Sequence, residues 1–486
     1  MASNHAPYLH VRVADTIRHL IEDSTLKTGD KVPSVRSMSR QAGVSISTVL
    51  QAYANLEADG VVVARPQSGY FVSPLAASNI RVPDRIFCSE LTPRPAPAFN
   101  LWGSIYESAT NDDILPLGLA NPKSELLPVK GLARAVRQVL NESPEKCTQY
   151  SFPPGEIALR RQIAAQYYLR NQDVHPDDIV ITSGCTESIL LSLKATARPG
   201  DVIAVESPMY FVLLRIVKSL GMTLVEIESD PVTGLSIDAL ARALDSIKIA
   251  AVICIPNFSN PNGTLMPDEK KRRLVELLAS NDIPLIEDDI YADLYFGDAR
   301  PSSCRDFSVN DNILSCSSFS KTLAPGFRIG WVLPGKYREQ VIQHKRLTSA
   351  ATTTLSQLAI AQFMQSGAHQ RHLRVLRQTF KQQVFMLREA IARYFPKGTR
   401  ISNPKGGFVL WVQLPAGLDT DLLAERAMQE KISIVPGRMF SASGQYANFL
   451  RLCTGFLWSE EAEQGVKRLG EMIDEALCQG QNPPLS

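Results

Sequence analysis

From about residue 113 onward the chain repeats one rhythm, a short β-branched run followed by a stretch of helical periodicity. Asp178-Ile-Val-Ile-Thr, Asp201-Val-Ile-Ala-Val, Ala250-Ala-Val-Ile-Cys-Ile and Ile283-Pro-Leu-Ile-Glu are such runs, and 268–279 is such a helical stretch. Strands alternating with helices predict an α/β fold on a mainly parallel sheet. With 486 residues, the chain exceeds one ordinary domain, so a second folding unit is expected beside this one.

Composition narrows the partners. Fifty-one Lys plus Arg against 49 Asp plus Glu leave +2, too little for a global field that would gather nucleic acid or an anionic membrane. Any such binding must come from a local patch. The longest apolar run, 249–255, is far shorter than the ~20 residues that span a bilayer, and the first residues lack a basic segment followed by an apolar one. A cytoplasmic protein is expected. Its 8 cysteines are scattered, fitting neither zinc-ligand spacing nor a disulfide scaffold, so no metal is expected and the thiols should be reduced.

The organisation changes near residue 75. Five prolines fall in 74–98, as in a linker, which predicts domains at 8–74 and 113–480 with a tether over 75–112. In the first domain Val13, Ile17, Leu20 and Ile21 share one helical face. Ser34 is placed to cap a second helix that Gly43 ends. Ser45 caps a third, whose Val49, Tyr53 and Leu56 face inward while Ser47, Thr48 and Gln51 lie nearer solvent. Val61-Val-Val-Ala-Arg and Tyr70-Phe-Val flank a Pro66-Gln-Ser-Gly turn, a two-stranded wing. Three helices and a wing make a winged helix-turn-helix, which serves either DNA or a protein partner. Residues 1–75 are only +1 overall, but 31–56 holds Lys31, Arg36 and Arg40 and no acid. That local charge favours DNA.

The run from Gly29 through Tyr53, Gly-Asp-Lys-Val-Pro-Ser-Val-Arg-Ser-Met-Ser-Arg-Gln-Ala-Gly-Val-Ser-Ile-Ser-Thr-Val-Leu-Gln-Ala-Tyr, resembles the DNA-binding domain of GntR-type bacterial regulators. By that resemblance Arg36, Ser45, Ser47, Thr48 and the wing around Arg65 and Gly69 contact operator DNA. Many such regulators carry an Arg after Gly-Val-Ser. Here Ile46 stands there, and it can neither grip guanine nor bond a phosphate.

In the second domain the most informative run is Ser318-Phe-Ser-Lys-Thr-Leu-Ala-Pro-Gly-Phe-Arg-Ile-Gly-Trp. A lysine among small hydroxyl residues, with Arg328 seven residues on, suits a reactive amine beside an anion site. The run resembles the lysine motif of fold-type I aminotransferases, which use pyridoxal 5'-phosphate (PLP), and the other motifs follow in that family's order. The resemblance spans about 113–475 and implies a large α/β domain with a small α+β subdomain. It implies a catalytic Lys321, and a carboxylate, Asp288, beside the ring nitrogen. Asp289 is the adjacent competitor, set aside because the family's tyrosine, here Tyr291, follows its aspartate by three. Asn260 shares the ring oxygen with Tyr291. Gly184, Cys185 and Thr186 open a helix whose N–H groups would take the phosphate, with Ser318 and Arg328. Tyr210 would stack on the ring, and Tyr150 would reach the phosphate from a second subunit. Arg451 would grip a substrate α-carboxylate. Gly406 and Gly407 look like the pair that begins the small subdomain's sheet.

Both halves together resemble the MocR branch of bacterial regulators. The resemblance implies a homodimeric, PLP-dependent transcriptional regulator that binds operator DNA and senses an amino acid or amine by exchange at Lys321. An active aminotransferase, converting an amino acid and a 2-oxo acid, with an accessory DNA-binding domain, is the alternative.

Overall fold

The computed structural model describes residues 9–23, 25–27, 29–58, 60–65, 68–73, 81–88, 91–95, 110–308 and 310–480. The chain divides into two compact units. One holds 1–81, 384–399 and 459–486, and the other holds 82–383 and 400–458.

In the first unit, α1 (Leu9–Glu22), α2 (Val35–Ala42) and α3 (Ile46–Ala58) precede a hairpin of β1 (Val62–Arg65) and β2 (Gly69–Val72). Their core is Val13, Ile17, Met38, Val49, Tyr53, Leu56, Val62 and Val72. Each large apolar side chain buried there contributes about 1.5–3 kcal/mol. The Tyr53 hydroxyl donates to Pro33 O at 2.7 Å, so the one polar tip in the core is satisfied. The expected caps are in place. Ser34 Oγ accepts from Ser37 N–H, and Gly43, at φ 64, ends α2 in the left-handed conformation that glycine adopts without strain. The wing gains a third short segment, because Val32 N donates to Tyr70 O and Val72 N to Asp30 O. Of its turn, Pro66 and Gln67 lie outside the described residues, as does the Arg65 side chain.

The second unit is built on eight strands, β3 (Val180–Thr182), β4 (Val202–Ser207), β5 (Thr223–Asp230), β6 (Gly234–Leu235), β7 (Ile249–Cys254), β8 (Leu285–Asp288), β9 (Ile313–Ser318) and β10 (Gly330–Leu333). Their order is β3-β10-β9-β8-β7-β4-β5-β6. Pairs β5-β4-β7-β8-β9 are parallel, whereas β10 runs against both its neighbours and β6 against β5. The parallel strands read as apolar runs because helices cover both faces. Their carboxyl ends, where open α/β sheets bind ligands, carry Ser207, Cys254, Asp288 and Ser318. A smaller antiparallel sheet joins β11 (Arg400–Ile401), β12 (Val409–Gln413), β13 (Val435–Pro436) and β14 (Phe449–Cys453) in the order β11-β12-β14-β13. Gly406 and Gly407 therefore lead into its second strand, not its first. Among the described residues no helix is long and apolar enough to cross a membrane.

Of the stretch expected to be a tether, 75–80, 89–90 and 96–109 lie outside the described residues. The rest is strapped to the large unit. Arg94 and Leu224 exchange backbone hydrogen bonds, Arg85 pairs with Glu228 at 2.7 Å, and Asp84 pairs with Arg400.

Candidate functional site

Thr182 ends β3, and Gly184 turns the chain at φ 101 into the helix Cys185–Thr196. The first N–H groups of that helix have no partner within it. Gly184 is required here by space as well as by angle. A Cβ would lie 2.5 Å from Arg328 Nη2, and one on Gly330 would lie 2.6 Å from the Gly184 carbonyl carbon. Arg328 itself sits at φ 53, a left-handed conformation that costs a non-glycine residue on the order of 1–2 kcal/mol. In that pose its Nη2 donates to Ser183 O at 2.8 Å. Ser318 Oγ, at the end of β9, accepts from Ser320 N at 3.1 Å. Two glycines, a helix start and a guanidinium thus surround one small cradle.

Asp288 ends β8. Its Oδ1 accepts from Cys185 Sγ at 3.2 Å and from Ile290 N at 3.2 Å. Among the described residues, no hydrogen bond ends on Oδ2. Burial pushes its carboxyl up to about 6, although both donors pull the other way. Asp289 is committed elsewhere. It pairs with Arg300 and accepts from Asn257 Nδ2 at 2.9 Å.

Lys321 is partly buried, and its Nζ donates to Ala120 O at 2.6 Å and Asn121 Oδ1 at 2.7 Å. Burial lowers its amine from 10.5 to about 8, with Arg451 and Arg328 adding to the effect and Cys453 and Asp288 opposing it. Tyr291 is buried, its hydroxyl accepts from Asn260 Nδ2 at 3.4 Å, and burial raises it well above its ordinary value. Tyr210 immediately precedes the helix Phe211–Ser219, its ring 4.9 Å from that of Phe211.

Arg451 lies in β14, 2 % exposed, between Trp411 and Val435. Nη1 donates to Asn260 Oδ1 at 3.2 Å and Nη2 to Gly118 O, while Nε has no hydrogen-bond partner. No carboxylate among the described residues pairs with it. Its guanidinium faces the rings of Phe440 and Phe211 at 5.4 and 5.8 Å. Tyr150 stands apart, 77 % exposed, with its ring 5.5 Å from that of Phe152.

Sequence reasoning missed Asn121, Gly118 and Arg300. The Gly118-Leu-Ala-Asn-Pro run signals a turn, but only the fold carries its amide and carbonyls to Lys321 and Arg451.

Just before α3, Ser45 Oγ accepts from Thr48 N at 3.1 Å and lies 2.8 Å from both Ser47 Oγ and Thr48 Oγ1. Arg36 is exposed on α2, and Gly69, exposed at φ 96, starts β2.

Residues 112–469 match the aminotransferase class I and II family, and residues 9–72 match the bacterial regulatory proteins of the gntR family. The HTH-type transcriptional regulators YjiR and YdcR of Escherichia coli (strain K12) are 36% and 34% identical. They align over 97% and 96% of this chain and 99% of each relative. A crystal structure of LysN, the alpha-aminoadipate aminotransferase of Thermus thermophilus, has 29% identity and a TM-score of 0.72. It covers 77% of this chain and 95% of its own. A partly buried lysine, a strand-end aspartate and a glycine-lined helix start on that fold suit PLP. The chain belongs to the MocR-type regulators, in which a gntR-family winged helix is fused to a PLP-dependent aminotransferase class I and II domain.

Proposed function

We propose that the protein is a PLP-dependent, DNA-binding transcriptional regulator that senses an amino acid or related amine at Lys321. The observation that carries the ligand class is Arg451. A buried guanidinium with no carboxylate partner costs several kcal/mol, and a bound α-carboxylate is the anion that would offset it. The regulator, not a plain enzyme, follows from the winged helix, for which transamination has no chemical use.

The donor set fits the cofactor. The N–H groups of Gly184, Cys185 and Thr186, with Ser318 and Arg328, would hold the phosphate, and the absence of a Cβ on Gly184 is what lets the Arg328 guanidinium come up to the helix start. Asp288 Oδ2 would keep a proton on the ring nitrogen. Tyr291 and Asn260 would bond the ring oxygen, and Tyr210 would cover a face of the ring. When bound, PLP supplies an aldehyde for an amine to engage and a ring that withdraws electrons. Lys321 contributes an amine that, lowered to about 8, keeps a reactive neutral fraction near physiological pH, and an amine ligand competes with it for the aldehyde. Arg36, Ser45, Ser47, Thr48, Arg65 and Gly69 would face operator DNA. The exposed Tyr150 and Phe152 suit a homodimer in which Tyr150 completes the site of a second copy, and the reading places the protein in the cytoplasm.

The completeness of the donor set also favours the aminotransferase reading. The test is to add amino acids to purified holoprotein and follow its near-visible absorbance, then supply a 2-oxo acid. A regulator gives a ligand-dependent spectral change that Arg451→Ala removes, with little turnover. Rapid multiple turnover would favour the enzyme.

A further inference from the structure

The start of α3 carries an unexpected chemistry. Ile46 is 50 % exposed and Leu50 45 %. Four residues apart, they share one face of the helix. They cannot turn inward, because Val49, Ala52, Tyr53 and Leu56 already fill the core side and are fully buried. The polar groups around them are engaged with one another. Ser45, Ser47 and Thr48 share hydroxyl contacts of 2.8 Å, and Gln51 Nε2 donates to Asn55 Oδ1 at 3.1 Å. The outward face of this helix is therefore led by two aliphatic side chains. The surrounding segment is basic, with Lys31, Arg36 and Arg40 exposed and no acid over 31–56.

Paired exposed aliphatics on a helix whose residues 46–56 carry no charge, beside the basic Lys31, Arg36 and Arg40, suit a partner that covers them. The basic surroundings and the gntR-family match of residues 9–72 point to duplex DNA. In the major groove the apolar group that base edges present is the C5-methyl of thymine. We propose that Ile46 and Leu50 read thymine methyl groups, so that each operator half-site places thymine against the start of α3. The inference rests on the DNA-binding reading and sharpens it. Discrimination at these positions comes from apolar contact instead of hydrogen bonds, and should be modest. One buried methyl-sized group is worth about fourfold in affinity.

The test starts from a duplex selected by the full-length protein from a randomised library. Each thymidine of that duplex is then replaced in turn by deoxyuridine, which removes the methyl group and leaves base pairing intact. Parent protein should lose about fourfold in affinity at one or two positions per half-site. Ile46→Ala and Leu50→Ala should each abolish one of those penalties while keeping the parent's affinity for random-sequence DNA at low salt, which shows that the domain remains folded. Ile46→Arg should shift the preference at its position towards guanine. Equal binding of the thymidine and deoxyuridine duplexes by the parent, or unchanged penalties in both alanine variants, would overturn the inference. A library that yields no preferred sequence would overturn the DNA-binding reading itself, a separate failure.

Discussion

Lys321 shows how the fold tunes a single side chain. Its amine, lowered to about 8 by burial, is mostly protonated at pH 6 and mostly neutral at pH 9. Only the neutral amine attacks an aldehyde. Capture of PLP by apoprotein should therefore quicken about tenfold per pH unit below 8 and level off above it, as stopped-flow absorbance would show. A rate flat from pH 6 to 8 would contradict the tuning. Borohydride should fix PLP to the parent but not to Lys321→Ala. The neighbouring acids divide the work. Arg300 pairs with both Asp289 and Asp293; Asp293 also holds Arg170, so Arg300→Met strands the buried Asp289 carboxylate and should cost about 3–5 kcal/mol by thermal or denaturant unfolding. Asp288→Ala should leave the fold intact and weaken PLP. The order of Asp288 and Tyr291 was legible in the sequence, and so were Lys321 and Arg451, because each sits in a compact motif. Arg300, 11 residues beyond Asp289, and Asn121, 200 residues before Lys321, belong to no such motif. Tertiary contact alone gives them meaning.

Among the elements, the cradle proposed for the phosphate depends on close approach of two backbone segments. Gly330 begins β10 and lies against Gly184. Gly330→Ala should force these apart and lower PLP affinity more than tenfold, a loss of about 1.4 kcal/mol or more, measurable by fluorescence titration of apoprotein. Affinity within twofold of the parent would show that the approach is not needed. In the winged helix, Ser34→Ala removes the cap on α2 and should cost about 1 kcal/mol. The long buried strands were readable because their apolar runs are continuous. The two-residue strands β11 and β13 carry no pattern of their own, being made by pairing with longer neighbours. The segment 81–95 reads as a tether because of its prolines. An extended chain can still pair through its other residues, and Arg94 does so against Leu224.

At the scale of the whole molecule, one chain carries a ligand site and a DNA-binding unit, and regulation requires a coupling free energy between them. By linkage, a ligand that changes DNA affinity must have its own affinity changed by DNA to the same extent. The most direct measurement is operator affinity of the holoprotein, at fixed salt, as its amino-acid ligand is titrated. The account predicts a change of about 5- to 150-fold, the usual range of allosteric coupling, that vanishes in Arg451→Ala and in Lys321→Ala. Operator affinity indifferent to every ligand that alters the near-visible absorbance would contradict it.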